Sequence, residues 1–397
     1  MTKRLTNSYA LTRPPRAGTN ESTMTDSTTW RDEFPIAKDT VFFNHAAISP
    51  LPLRSARAGT AILDQRCLQA SRDYGGWLKT VARARSLAAG LLATNPEHIA
   101  FTGNTSWGLS LVAAGLDWRP GDVVAVTWPD FPSVLFPWLN LRERGVIVRE
   151  IGRHGGVLDM DRAAEAARGA KLVVASTVDW LTGAALDVAG LGRICRREGA
   201  LLCLDAIQSL GVLSLDVRET GVDFLAAGCH KWLLGPMGLG IFYASPESAG
   251  RLKQVGVGWR SVENEETLTD HFRLKTDSSR FEPGTLDISA IATLAASLEL
   301  LSEIGGETVR RNIFARLDEL AGGLKSRGLM VASPLGCGER SSILAFEHAD
   351  TAGLFTHFIR SDVAVSLRGG RIRLAPHFYN DASDVERFFA ALDAYSG

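Results

Sequence analysis

The sequence predicts an α/β fold, in which a mainly parallel seven-stranded sheet with helices on both faces precedes a smaller C-terminal α+β domain. Between residues 99 and 243, short apolar runs alternate with segments of helical spacing. Most of these runs are continuously apolar, which is typical of strands covered on both faces. After residue 288 the alternation gives way to long helices and a short mixed region.

Seven apolar runs form the predicted sheet. They are Ile99–Thr102, Val123–Thr127, Val146–Arg149, Leu172–Ser176, Leu201–Asp205, Phe224–Ala227 and Leu239–Tyr243. Segments with helical spacing lie between them, as expected for the crossover connections of parallel strands. The clearest of these segments are Leu109–Leu116, Val134–Arg144 and Val188–Glu198.

We divide the chain into a flexible polar tail (residues 1–30), a large domain (31–288) whose N-terminal segment is expected to pack with the small domain, and a small C-terminal domain (289–397). The tail is rich in Thr, Ser, Arg and Pro, which favours a flexible segment, although its basic residues leave a transit peptide open and Met24 is an alternative start. The small domain contains predicted helices at Ala290–Ile304, Glu307–Arg327 and Ala382–Ala394, and strands near Ser342–Phe346 and Arg371–Leu374.

Composition excludes several classes of partner. The chain has 43 basic and 44 acidic residues, so no excess of charge points to nucleic acid or anionic lipid. No apolar run approaches the ~20 residues that cross a bilayer. Five scattered cysteines without paired spacing favour reduced thiols. We predict a cytoplasmic protein without a nucleic-acid partner, membrane partner or metal site.

Polar and aromatic side chains follow the predicted strands, at the edge where open parallel sheets bind ligands. Thr105 and Ser106 open a helix after the first strand, where free amides and hydroxyls would bind an anion. Phe131, between two prolines, suits stacking on a flat heterocycle. Each feature alone has an ordinary explanation, as a helix cap or a core aromatic.

An acid and a lysine follow two further strands. Asp205 ends one strand and precedes Gln208, whereas Lys231 follows another in the segment Gly228-Cys-His-Lys. A lysine amine forms an imine with the aldehyde of pyridoxal phosphate, and a carboxylate keeps the ring nitrogen of that cofactor protonated. The conjunction of anion site, aromatic, acid and lysine at successive strand ends favours a site for pyridoxal 5'-phosphate.

These residues resemble the class V aminotransferase branch of fold-type I pyridoxal phosphate enzymes, which includes cysteine desulfurases, kynureninase and isopenicillin N epimerase. The similarity runs from Phe42 to Asn380. It implies that Lys231 carries the Schiff base and is the catalytic base, that Asp205 pairs with the pyridine nitrogen and that Gln208 contacts the ring hydroxyl. Phe131 is implied as the stacking aromatic, at a position where desulfurases have a histidine.

The resemblance also implies how the phosphate is held. The implied phosphate ligands are Thr105, Ser106 and His230, together with Thr285 from the second subunit of a homodimer. Gly228 departs from the family, since many relatives have a phosphate-binding serine there.

On the substrate side, the resemblance implies that Arg373 binds the carboxylate of an amino acid, while Arg371 is structural or a secondary contact. Asp179 aligns with a substrate-side asparagine of the family and would favour a cationic feature of the substrate. His45, with Trp180, is a further candidate for contact with the substrate or its leaving group.

The reaction stays open between a lyase (β-elimination, including carbon–sulfur cleavage), an aminotransferase and an amino-acid epimerase. A cysteine desulfurase is disfavoured because residues 363–370, before the carboxylate arginine, contain no cysteine, and Cys337 lies too early. A non-catalytic interaction protein on the same fold is the alternative of another class. The retention of Lys231, Asp205 and Arg373 together argues against it.

Overall fold

The structure is a computed structural model and describes residues 30–265, 270 and 272–396. The predicted tail, apart from Trp30, and the alternative start at Met24 lie outside the described residues. No single helix in the described part is long and apolar enough to cross a membrane. Two successive helices, Ile288–Ile304 and Gly306–Ser326, reach the length and composition only as a pair bent by 81°.

The strands are numbered along the chain. They are β1 (Val41–Phe42), β2 (Ile99–Thr102), β3 (Val123–Trp128), β4 (Ile147–His154), β5 (Val157–Leu158), β6 (Ala170–Ser176), β7 (Leu201–Asp205), β8 (Phe224–Gly228), β9 (Gly240–Ala244), β10 (Leu344–Phe346), β11 (Val363–Ala364), β12 (Ser366–Arg368) and β13 (Arg371–Leu374). The α-helices are Leu53–Gln69, Tyr74–Leu91, Thr105–Gly115, Pro132–Leu139, Met160–Ala167, Val188–Glu198, Val217–Thr220, Pro246–Ala249, Ile288–Ile304, Gly306–Ser326, Thr351–Arg360 and Ala382–Asp393.

The large sheet confirms the predicted fold class. Its strand order is β2-β9-β8-β7-β6-β3-β4-β5. Strands β4, β3, β6, β7 and β8 pair in parallel, and β9 runs antiparallel to both of its neighbours. All seven predicted strands are present, but the predicted number is wrong, because β5 adds an eighth strand to the edge through a hairpin with β4. Two residues are too few to show as an apolar run.

Burial on both faces explains the continuous apolar runs. On β7, Leu202 and Leu204 belong to one hydrophobic core, whereas Leu201 and Cys203 belong to a second core on the other face. Successive side chains of a strand point to opposite faces, so each face needs its own apolar residues. The large sheet is therefore a rigid, buried platform whose strand ends position the site.

The C-terminal part contains a three-stranded antiparallel sheet in the order β10-β13-β12. The N-terminal segment joins it, because β1 pairs in parallel with β11. Helix Ile288–Ile304 packs against helices Leu53–Gln69 and Tyr74–Leu91. The predicted domain boundary between residues 288 and 289 stays a prediction. This helix begins at that boundary, yet it packs against helices of the predicted large domain.

Candidate active site

A cavity of about 330 Å³ lies beside the carboxyl ends of β6, β7 and β8. It brings together eight of the eleven predicted site residues. These are Thr105, Ser106, Phe131, Asp205, Gln208, His230, Lys231 and Arg373. Residues from the N-terminal segment, the large sheet and the C-terminal sheet meet here, so the cavity depends on the whole fold.

Lys231 lies in a turn that two distant parts of the chain hold in place through three hydrogen bonds. The amide and hydroxyl of Ser49 donate to the carbonyl groups of His230 (2.8 Å) and Lys231 (2.5 Å). The imidazole of His377 donates through Nε2 to the carbonyl of Trp232 (3.2 Å). Three successive carbonyl groups are thus satisfied, which fixes the backbone from which the lysine side chain extends.

The charge state of Lys231 is shaped by its surroundings. Burial lowers the pKa of its amine, and the positive charges of Arg373 and Arg368 lower that pKa further, whereas Asp205 opposes them. Its Nζ lies 6.0 Å from the centre of the Phe131 ring. Because its pKa is lowered, part of the Lys231 amine is unprotonated near neutral pH. The unprotonated amine is the form that attacks an aldehyde or accepts a proton.

Asp205 is a buried acid at the end of β7, with only 3% of its surface exposed. Its Oδ1 accepts a hydrogen bond from the amide of Ile207 (2.9 Å). Burial raises the pKa of this carboxyl group, and the charge of Lys231 opposes the shift. A buried carboxylate with so few donors is stabilised by a cationic partner in the cavity, such as a protonated ring nitrogen.

Gln208 occupies the wall between Lys231 and the N-terminal segment. Its Oε1 accepts from Nε1 of Trp232 (3.0 Å), and its Nε2 donates to the carbonyl of Ala46 (3.1 Å). One amide hydrogen stays available for a ligand. The side chain therefore links the lysine turn to residue 46 in addition to any contact with a ring hydroxyl.

The part of the cavity wall formed by Asn104, Thr105 and Ser106 is suited to bind an anion. Helix Thr105–Gly115 begins here, capped by the Asn104 side chain, which accepts from the amide of Trp107 (2.9 Å). The first amides of a helix lack internal acceptors and carry its positive dipole end. Thr105 Oγ1 accepts from the amide of Gly228 (2.8 Å), and Ser106 shares a hydrogen bond with Ser133 (2.7 Å).

Phe131 stands at the cavity mouth and is 42% exposed. The neighbouring Asp130 holds its loop, because the Asp130 carboxylate accepts from the amide of Phe131 (2.7 Å), from Ser176 (2.6 Å) and from Arg153 (3.2 Å). The Phe131 ring meets Trp180 edge to face, with centroids 5.5 Å apart. The ring is therefore positioned by a buried polar network and presents an apolar face to the cavity.

Arg373 is buried, with 2% of its surface exposed, and its guanidinium is incompletely paired. Nη1 donates to the carbonyl of Trp180 (2.7 Å) and Nη2 lies 3.5 Å from Ser366 Oγ, while Nε has no partner among the described residues. Burial lowers the pKa of Arg373 to about 10. An orphaned buried donor beside a cavity indicates that a ligand, such as a carboxylate, completes it.

Three predicted site residues do not line the cavity. Thr285 is exposed on the surface. Asp179 is buried, and its Oδ1 accepts from the amides of Leu181 (3.2 Å) and Thr182 (2.7 Å), so its carboxylate closes a turn behind Trp180. Its position does not support direct contact with a substrate.

His45 is also buried behind the wall. Its Nδ1 donates to the carbonyl of Ala375 (2.8 Å), and its Nε2 accepts from the hydroxyl of Tyr379 (2.9 Å). Both ring nitrogens are occupied, so the predicted contact with a leaving group is not supported. Its neighbour His377 is neutral as well, because its Nδ1 accepts from the amide of Phe378 (2.9 Å) and its Nε2 donates to Trp232.

We expect this histidine pair to make the fold sensitive to acid. Burial lowers the pKa of His377 from 6.5 to about 4 and also lowers that of His45. Between these values the unfolded chain binds a proton that the folded chain rejects, so stability is full above pH 6.5 and falls as pH drops towards 4. Over that interval one such histidine lowers the free energy of unfolding by roughly 3 kcal/mol.

Scanning calorimetry between pH 7 and 4 measures this effect. The melting temperature of the His377→Gln variant should vary less with pH than that of the unchanged protein, whatever its absolute value. Equal pH slopes would show that His377 does not control acid sensitivity.

The comparisons with known proteins agree with this arrangement. The aminotransferase class-V profile matches residues 70–388. The chain belongs to the class V aminotransferase family. It is 31% identical to a probable cysteine desulfurase of Methanothermobacter thermautotrophicus, over 92% of this chain and 97% of the relative. It is 29% identical to an isopenicillin N epimerase of Amycolatopsis lactamdurans, over 79% of this chain and 84% of the relative.

A solved structure shows the same architecture. The apo cysteine desulfurase of Thermococcus onnurineus NA1 aligns with a TM-score of 0.84 at 25% identity, covering 92% of this chain and 97% of that one. The family's members are pyridoxal-phosphate-dependent enzymes, and this class V aminotransferase family member is one as well. Its cavity fits that cofactor, since it offers a lysine for the aldehyde, a buried acid for the ring nitrogen and a helix N-terminus for the phosphate.

We expect Asp205→Asn to slow turnover strongly. The amide keeps the size and the hydrogen bond from Ile207 but cannot hold a protonated ring nitrogen by charge. Loss of one charge in such a buried pair costs a few kcal/mol, or about a 10²-fold fall in kcat. Steady-state kinetics of the cofactor-loaded protein measures this. Turnover within a factor of three of the unchanged protein would contradict the role of Asp205.

Sequence reasoning missed Arg368. It lines the cavity from the end of β12, five residues before Arg373. The Gly369-Gly370 pair could have indicated this residue from the sequence. Two adjacent glycines predict a tight hairpin turn, which places Arg368 and Arg373 on one face of the hairpin.

Proposed function

We propose that this family member acts at the α carbon of an amino acid as a lyase, by β-elimination that includes carbon–sulfur cleavage, or as an aminotransferase. One observation carries the proposal. Lys231, Asp205 and the incompletely paired Arg373 share one cavity of about 330 Å³. A lysine with a lowered pKa, an acid and a carboxylate-binding guanidinium are the groups that such chemistry needs.

Arg373 orients the substrate in this proposal. The Nε and Nη2 groups form one edge of the guanidinium, which matches the two oxygens of a carboxylate. Since Nη1 is tied to the carbonyl of Trp180, the guanidinium cannot turn away. Binding the carboxylate at this fixed point decides which bond of the α carbon faces Lys231.

Lys231 moves the proton in this proposal. When bound, pyridoxal phosphate supplies an electron sink for the charge that develops at the α carbon. The amine of Lys231 takes the proton from that carbon, and its lowered pKa keeps part of it unprotonated near neutral pH. Phe131 cannot move protons, so Lys231 is the residue to which we assign this task.

Persulfide transfer is disfavoured although relatives carry the name cysteine desulfurase. Among the described residues that line the cavity there is no cysteine. Cys229 is buried, and burial raises the pKa of its thiol far above the range in which it reacts. Cys337 lines a separate cleft of about 1180 Å³ beside helix Gly306–Ser326. In the part of the chain that the structure describes, no thiol lines the cavity to accept sulfur.

Product analysis separates the remaining reactions. The cofactor-loaded protein is incubated with single amino acids and with cysteine conjugates. Pyruvate with ammonia indicates elimination, and dependence on an added keto acid indicates transamination. Inversion of the α carbon without either indicates epimerisation, which would replace the proposal. The absence of any product across both substrate sets would overturn it.

We propose further that the protein works as a homodimer in which Thr285 contacts the phosphate of the neighbouring site. In support, Thr285 is exposed, and its loop is anchored by Glu282, whose carboxylate accepts from Arg85 (2.7 and 2.9 Å). Exposed aromatic side chains at Trp259 and Phe272 lie in the same region of the chain. Light scattering at micromolar concentration should give twice the mass of one chain.

A further inference from the structure

The cavity is lined by a second arginine, Arg368, in addition to Arg373. Strands β12 and β13 form a hairpin in which Ser366 pairs with Arg373 and Arg368 pairs with Arg371. Directly opposed residues lie on the same face of such a pair, and the face repeats every second residue. Arg368, Arg371 and Arg373 therefore share one face, on which Arg368 and Arg373 are diagonal neighbours. Of these three, Arg368 and Arg373 line the cavity.

The turn between the strands fixes this arrangement. Gly369 and Gly370 have φ angles of 53° and 75°, which a two-residue hairpin turn requires at both positions and which favour glycine. A two-residue turn leaves no slack between the strands. Arg368 is thus held at a set distance from Arg373, although its own side chain is exposed.

The arginines of this hairpin differ in their partners. Arg371 pairs with Glu347, and both Nε and Nη2 lie 2.8 Å from its carboxylate. Arg368 forms no ion pair with any acid in the described part of the chain, and its one hydrogen bond is to the carbonyl of Leu367 (3.0 Å). Among the described residues that line the cavity, Asp205 is the one acid, whereas Lys231, Arg368 and Arg373 are basic.

One carboxylate does not account for both guanidinium groups. The Nε of Arg373 has no partner among the described residues and its Nη2 has only a 3.5 Å contact, and these two donors match both oxygens of a single carboxylate. The donors of Arg368 are then left for a different anionic group. Asp179, the other acid near Arg373, is turned into its own loop and does not line the cavity.

We propose that Arg368 binds a second carboxylate, on the side chain of the substrate, so that the enzyme selects acidic amino acids. This inference rests on the proposed function, in which Arg373 binds the α-carboxylate. The substrate class is an α-amino acid whose side chain ends in a carboxylate, including acidic cysteine conjugates. Arg368 is then a specificity-determining residue and takes no part in proton transfer.

Equilibrium binding tests this without turnover. Calorimetry on the cofactor-loaded protein compares glutarate and succinate with their monoamides, glutaramate and succinamate, which have the same size and one carboxylate fewer. We expect each diacid to bind about ten-fold more tightly than its monoamide, since a hydrogen-bonded charge pair is worth about 1.4 kcal/mol. Arg368→Gln should abolish the difference, and the matched Arg371→Gln variant should keep it.

Three outcomes would overturn the inference. Diacids and monoamides could bind equally well, neither could bind, or Arg368→Gln could weaken both to the same extent, which would place Arg368 on the α-carboxylate. Product analysis keeps the two proposals distinct. Turnover of neutral and acidic amino acids with equal kcat/KM removes only the acidic preference, whereas no turnover of any amino acid removes the proposed function.

Discussion

Lys231→Ala should abolish catalysis while the fold stays intact. The variant loses both the amine that anchors the cofactor and the group that takes the α-proton. A positioned general base alone contributes ~10²–10⁴-fold, so we expect turnover to fall at least ~10³-fold. The turn itself should persist, because Ser49 and His377 donate hydrogen bonds to its backbone carbonyl groups. The lysine side chain takes no part in these bonds.

Two measurements check this expectation. Borohydride treatment of the cofactor-loaded protein, followed by mass spectrometry, should locate the cofactor on the peptide that contains Lys231 and on no peptide of the variant. Lys79→Ala, at an exposed helical lysine outside the cavity, is the matched control and should leave turnover and labelling unchanged. A Lys231→Ala variant that keeps a tenth of the original turnover would sink the assignment.

Arg373→Ala should raise KM steeply and leave the cofactor in place. The substitution removes a buried two-pronged contact with the substrate carboxylate. Truncating one member of such a pair costs 2–5 kcal/mol, so kcat/KM should fall by ~30-fold to several thousand-fold. The visible absorption band of the bound cofactor should persist, because Arg373 lies on the C-terminal sheet whereas Asp205 ends β7 and Lys231 follows β8.

A conservative variant separates charge from geometry. Arg373→Lys keeps the positive charge but loses the planar fork, so it should recover only part of the lost affinity. Arg371→Ala, whose side chain pairs with Glu347 outside the cavity, should leave KM unchanged. Normal substrate affinity in Arg373→Ala would refute the carboxylate assignment.

Much of the large sheet could be predicted because its strands are covered on both faces. Leu201–Asp205 and Phe224–Ala227 are unbroken apolar runs for that reason, and their ends meet at one edge of the sheet. Asp205 ends the first of these strands and Lys231 follows the second, so the two residues converge because the strands pair in parallel. The chemical roles of Lys231 and Asp205 were predicted from the family resemblance. The cytoplasmic location stays a prediction.

The remaining site features depend on contacts between distant parts of the chain. His45 was expected in the cavity, but its ring is turned towards Ala375 and Tyr379, more than 300 positions away. Asp179 was expected to face the substrate, but nearby amides capture its carboxylate. No local pattern fixes which way such a side chain points.

The hairpin formed by residues 366–373 has a consequence for engineering. It contributes both arginines of the cavity, whereas the acid ends strand β7 of the large sheet and the lysine follows strand β8. Selectivity and chemistry are thus encoded in separate stretches of sequence. Grafting a different hairpin that keeps Ser366 and Arg373 but replaces Arg368 should redirect the enzyme to amino acids with other side chains while its reaction type is retained.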